Sequence, residues 1–118
     1  NVVLAVPNEP GTLVAGASEL KALAKAVDSA WLRFALAPLL LAPGEDAHAL
    51  LARSVVALHR TRECEQFAGN GDGEAAALIA ALARFRGFVA LERDPEDGPP
   101  DAFHRALERF AALRARTL

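Results

Sequence analysis

Three histidines, His48, His59 and His104, carry the side-chain type best suited to proton transfer or metal binding near neutral pH. His48 and His59 would share one face of a helix, but they would lie about 16 Å apart along its axis, too far to bind one metal ion. The single cysteine, Cys64, lies between two glutamates, whose charges oppose thiolate formation. We therefore expect no metal site, no cofactor and no cysteine nucleophile.

Arg53 and His59 form the one pair that suggests a specific reaction. Five residues separate them, and this spacing resembles the Arg-x4–6-His motif of the HEPN ribonucleases, which are small all-α dimers. The resemblance covers these two residues. It implies a metal-independent ribonuclease in which Arg53 binds phosphate and His59 acts as acid or base on the ribose hydroxyl.

The charge balance excludes several other classes of function. The chain has 118 residues, with 13 Lys and Arg against 15 Asp and Glu, so no bulk positive field is present to bind nucleic acid. The longest uncharged stretch, Phe34–Gly44, contains two prolines and is too short for a membrane span, which needs about 20 apolar residues. With 53% hydrophobic residues, the chain is long and apolar enough for one folded domain.

The composition favours helices, because 27 alanines and 18 leucines are present. Leu20, Leu23 and Val27 recur at intervals of three and four residues, as on one apolar helix face. Turn-forming residues at Gly69–Gly73 and Asp94–Pro100 separate the later segments. The pattern predicts four helices, over residues 18–41, 45–68, 73–92 and 101–116. Four such helices with short connections predict an all-α fold, an antiparallel four-helix bundle.

The first 17 residues differ from the rest of the chain. Val2–Val6 is apolar and largely β-branched, and Pro7–Gly11 is rich in turn formers. We expect residues 1–17 to form an extended arm or a β-hairpin ahead of a helical domain over 18–118, and the sequence leaves open whether this arm packs on its own chain or on another. Residues 88–91 could form a strand after Gly87, but the apolar spacing favours a helix there.

The chain has more apolar residues than a small bundle can bury. The mean hydropathy is +0.18, and residues 2–6, 32–41 and 88–91 are apolar beyond a single helix face. Small domains bury a small fraction of their surface, and a large exposed apolar patch marks a partner surface. The residues expected at this interface are Leu32, Leu36, Leu39, Leu40 and Leu41, with Val3 in the arm.

These features predict a non-catalytic helical protein–protein interaction or dimerisation domain with a regulatory role, most simply a homodimer. The sequence begins with Asn and contains no Met, so we expect it to be part of a larger protein or complex. The lone cysteine fits a reducing, cytoplasmic compartment. Besides the ribonuclease, the alternative function is binding of a small apolar ligand between alanine-lined helices around Trp31.

Overall fold

The computed structural model describes residues 2–60, 72–93 and 99–117, and it shows an alternation of strands and helices. The elements are β1 (Leu4–Pro7), α1 (Ala17–Val27), β2 (Leu32–Leu36), a 3-10 turn (Pro38–Leu40), α2 (Ala47–Leu51), β3 (Ser54–Arg60), α3 (Asp72–Ala81), β4 (Phe88–Glu92) and α4 (Pro100–Thr117). The strands form one parallel sheet in the order β1-β2-β3-β4. The fold class is therefore α/β, and the predicted all-α four-helix bundle is wrong.

The first predicted helix, 18–41, is a helix followed by a strand. Helix α1 ends at Val27, where Asp28 takes a left-handed conformation with φ of 46° and donates its backbone N–H to the carbonyl of Ala24. Strand β2 begins four residues later at Leu32. The apolar residues keep a helix-like spacing beyond Val27 by coincidence. From Leu32 to Leu36 they are buried because they belong to a strand, and not because they form one face of a helix.

The second and third predicted helices are divided in the same way. Within 45–68 the structure has the short helix α2 and then β3, while residues 61–68, including Cys64, lie outside the described residues. Within 73–92 it has α3 and then β4, so residues 88–91 are a strand. This strand neighbours β3, not the N-terminal segment. The fourth predicted helix coincides with α4.

The N-terminal segment packs on its own chain. Strand β1 pairs in parallel with β2, and the register aligns Leu4 with Leu32 and Pro7 with Ala35. Within the described residues 2–17, β1 is the one strand and its partner is β2, so the predicted hairpin alternative is wrong. The loop that follows β1 is closed by the backbone N–H of Glu9, which donates to the carbonyl of Val14.

A buried asparagine ties the carboxyl ends of β1 and β2 together. The Asn8 side chain accepts a hydrogen bond from the backbone N–H of Ala37 at 2.7 Å and donates one to the carbonyl of the same residue at 3.1 Å. Asn8 is only 2% exposed. The Asn8 amide therefore extends the pairing of these two chain segments beyond the last residues of β1 and β2.

The core explains the apolar surplus that the sequence analysis assigned to a partner surface. In β2, Leu32, Phe34, Ala35 and Leu36 are all buried, which is usual for a central parallel strand that is covered on both faces. Helix α1 adds the fully buried Leu20. Much of segment 32–41 is therefore shielded by the chain itself.

The chain divides into two units. The first comprises the described residues up to Leu58 together with Arg84–Ala90, and the second comprises His59–Ala83 and Leu91–Leu118. In the second unit, α3 and α4 pack against each other. The buried side chains there include Leu78, Ala106 and Phe110.

Gly87 permits a close backbone approach in the first unit. A Cβ atom at this position would lie 2.5 Å from the carbonyl oxygen of Val55 and would overlap the ring of Phe85. Val55 is the extra residue of an irregularity in β3, because Phe34 aligns with Ser54 whereas Ala35 aligns with Val56. Only a residue without a side chain fits between β3 and the turn that leads into β4.

Candidate functional site

The predicted interface residues do not form one exposed patch. Leu32 and Leu36 are buried within β2, and Leu39 and Leu41 are half-buried on either side of Leu40, which is exposed. The leucines of β2 are therefore covered by the chain's own sheet and helices. Val3, the arm residue of the predicted interface, lies just before β1 and is exposed.

Arg53 and His59 do not lie on a common helix. Arg53 is exposed in the turn between α2 and β3, and its guanidinium carbon lies 5.6 Å from the ring centroid of Phe34. His59 is buried within β3. The resemblance to HEPN ribonucleases implies an all-α fold, and this implication is wrong because the fold is α/β.

The other chemical hypotheses find no geometry in the described residues. Among residues 2–60, 72–93 and 99–117, no three His, Cys, Asp or Glu side chains are grouped so that they could hold a metal ion. No helix in the same ranges has the length and apolar character needed to cross a membrane. Trp31 lies half-exposed in the turn before β2, and not between helices as the apolar-ligand hypothesis required.

The loop between β1 and α1 contains two glycines with the spacing found in phosphate-binding loops. Gly11 and Gly16 are separated by four residues and precede a helix, which is a place where many α/β proteins bind phosphate. Ala17 stands where a phosphate-binding loop has Lys. The carboxylate of Glu45 accepts the backbone N–H of Ala17 at 2.9 Å and that of Ala42 at 3.2 Å. The chain's own carboxylate therefore occupies the start of α1.

Glu19 adds a second negative charge in the first turn of α1. The Ser18 hydroxyl donates to the Glu19 carboxylate at 2.8 Å. This hydrogen bond, followed by the backbone N–H of Glu19, lowers the pKa of Glu19 below its ordinary value. The negative charge is therefore retained at neutral pH, and this helix start is unsuited to an anionic ligand.

The exposed apolar side chains concentrate where β1 and β2 begin. Val2 is 84% exposed, Leu4 63% and Trp31 51%, and Val3 and Val27 are also exposed. The backbone N–H of Leu4 donates to the carbonyl of Trp31 at 2.8 Å, so Leu4 and Trp31 are neighbours. Val2 and Val3 directly precede Leu4 in the chain, and Val27 is the last residue of α1, four positions before Trp31. We call these five residues the amino-end patch. None of them is charged, and all belong to the first unit.

Strand β1 also presents an open edge beside this patch. It is the first strand in the sheet order, and β2 is its one partner among the described strands. Natural proteins often protect such edges with charged residues or proline. Residues 2–7 contain no charge, and Pro7 is the one protective residue.

The sequence predicts Val3 as an interface residue and residues 2–6 as surplus apolar surface, but it does not predict Val27 or Trp31 there. Leu4 belongs to the β-branched run that was expected to be a strand or an arm, and its exposure depends on being at the sheet edge. The sequence predicts one long helix over residues 18–41, which contains both Val27 and Trp31. Val27 and Trp31 are exposed because α1 ends at Val27. The apolar spacing does not indicate this helix end.

Comparison with known proteins gave no match: no family model, no curated protein and no solved structure is similar to this chain.

Proposed function

We propose that this chain is a non-catalytic interaction domain that self-associates through the amino-end patch. The observation that carries the proposal is the grouping of Val2, Val3, Leu4, Val27 and Trp31 at one end of the β1–β2 pair. Exposed apolar residues grouped in this way are typical of protein-binding sites, whereas single exposed apolar residues are common everywhere.

The size of the patch predicts weak association. Burying one exposed Val or Leu side chain completely contributes about 1.5–3 kcal/mol. Association itself costs about 4–15 kcal/mol in lost freedom of motion. Five partly exposed residues on each copy can exceed the lower part of this range, so we expect a reversible dimer that forms as the protein concentration rises.

The positions of the histidines favour a binding role over acid–base catalysis. His48 lies on α2, His59 within β3 and His104 on α4. His104 approaches Glu108 at 3.8 Å, but both side chains are well exposed, so this pair is a surface contact of little energetic value. The three histidines therefore lie on three different elements, and none of them is next to a residue of the amino-end patch in the sequence.

Substituting Leu4 by Lys is expected to weaken self-association by about tenfold in Kd, because a charge replaces an apolar side chain at the centre of the contact. Sedimentation velocity over a wide range of protein concentration measures the effect. The wild-type chain should shift from monomer to dimer, and Leu4→Lys should remain monomeric over more of the range.

Leu13→Lys is the matched control, since Leu13 is 96% exposed in the loop at the opposite end of β1. This variant should dimerise like the wild type. A wild-type chain that stays monomeric at every concentration, or a Leu13→Lys variant that weakens the dimer as much as Leu4→Lys, would refute the proposed function.

A further inference from the structure

The open edge of β1 has a defined pattern of hydrogen-bonding groups. Leu4 aligns with Leu32 and Val6 with Phe34, and the Leu4 N–H donates to β2. Alternate residues of a strand direct their main-chain groups to opposite sides. Val3 and Ala5 therefore direct both N–H and C=O to the outside, and Pro7 directs only its C=O there because it has no N–H.

We propose that a second copy of this chain adds to the open edge, in an antiparallel register centred on Leu4. This inference rests on the proposed function and specifies its geometry. Two identical edges that pair about a twofold axis are necessarily antiparallel. Centred on Leu4, Val3 of each copy lies opposite Ala5 of the other, and the two pairs exchange four main-chain hydrogen bonds.

Pro7 discriminates against the neighbouring register. If the pairing were centred on Ala5, Pro7 would lie opposite Val3 of the other copy. The Val3 carbonyl of each copy would then have no N–H to accept from, which is unfavourable for a buried main-chain group. In the register centred on Leu4, Pro7 lies beyond the paired residues 2–6, so its missing N–H leaves none of their carbonyls without a partner.

The same register covers the most exposed side chains of the strand. Leu4 lies opposite Leu4 of the second copy, and Val2 lies opposite Val6, so that the apolar side chains on one face of the strand meet across the axis. Residues 2–7 carry no charge, so the two edges approach without electrostatic repulsion. The pairing is closed at two copies, because each copy uses its β1 edge once.

The short contact fits a reversible dimer. Five residues from each copy, 2–6, form the strand pairing, compared with about 20–30 residues on each side of a standard stable interface. The contribution of Trp31 and Val27 beside the strand enlarges the apolar area without adding charge. The partner that best fits this uncharged edge is therefore the β1 strand of a second copy, and not a charged peptide.

Disulfide trapping tests the register. In a chain with Cys64→Ser, single substitutions Val3→Cys, Leu4→Cys and Ala5→Cys are oxidised in a glutathione buffer, with Leu13→Cys as the control. In the proposed register Leu4 is the residue that faces itself, in a pair without mutual hydrogen bonds where Cα atoms lie about 4.5 Å apart, within the range for a disulfide. Leu4→Cys should form covalent dimers about tenfold faster than Leu13→Cys, because the pairing raises the effective thiol concentration.

Trapping is compared with sedimentation of the wild-type chain. Preferential cross-linking of Ala5→Cys, or of no strand variant over Leu13→Cys, in a chain that does dimerise would overturn the register but leave the proposed function intact. A chain that is monomeric throughout would overturn both. Growth beyond dimers would indicate pairing of β1 with β4 of another copy and would also contradict the closed register.

Discussion

Replacing Asn8 by Leu is expected to destabilise the fold by about 2–4 kcal/mol. The substitution removes the two hydrogen bonds that the side chain makes to the N–H and C=O of Ala37. Both residues are buried, so the two main-chain groups lose their partners without gaining water, and each such loss costs about 1–3 kcal/mol. A small domain has about 5–15 kcal/mol of stability in total, so urea unfolding should show a large decrease in midpoint.

Thr12→Val provides a comparison with an exposed bond of the same kind. The Thr12 hydroxyl donates to the carbonyl of Glu9 at 2.7 Å on the surface, where water can replace it. We expect a change within about 0.5 kcal/mol for this variant. Equal effects of Asn8→Leu and Thr12→Val would show that the Asn8 amide does not hold the two strand ends together.

The variant Gly87→Ala should lower the free energy of unfolding by about 3 kcal/mol, since the added methyl group would lie 2.5 Å from the main-chain oxygen of Val55. The backbone of β3 would have to move to accommodate the methyl group, because a main-chain oxygen cannot rotate away as a side chain can. Thermal or urea unfolding measures the loss directly.

Two companion variants separate the causes of this effect. Adding Phe85→Ala removes the ring that the methyl group would overlap, but the Val55 oxygen remains, so only part of the stability should return. Gly11→Ala examines a different limitation, because Gly11 has a φ of +83° and open space around it. Its cost should be about 1–2 kcal/mol, from backbone conformation alone. Full recovery in the Phe85→Ala double variant would disprove the proposed role of Val55.

Several residues in the sequence indicate an alternation of strands and helices, although the apolar spacing favours long helices. Val55 and Val56 are β-branched residues in the middle of a predicted helix, and Asp28-Ser29 is a polar pair well suited to ending one. The apolar run from Phe34 to Ala37, which is followed by Pro38, is typical of the end of a buried parallel strand. Spacing alone cannot separate a short helix followed by a strand from one long helix.

The surface that we propose as the self-association site could be predicted only in part from the sequence, for a physical reason. The apolar residues predict a partner surface because they exceed what a four-helix bundle would bury, but a central parallel strand buries side chains on both faces. This strand accommodates Leu32 and Leu36. What remains exposed depends on which strand lies at the edge of the sheet. That order is set by tertiary pairing, and no local pattern around Leu4 or Trp31 reveals it.

Amide hydrogen exchange at Val3 and Ala5, followed as protein concentration increases, tests most directly whether the β1 edge is the contact. These two N–H groups face outward, whereas those of Leu4 and Val6 are directed to β2. Our account predicts that exchange at Val3 and Ala5 slows as dimers form, while Leu4 and Val6 are protected at every concentration. Exchange at Val3 and Ala5 that is equally fast in dilute and concentrated samples would contradict it.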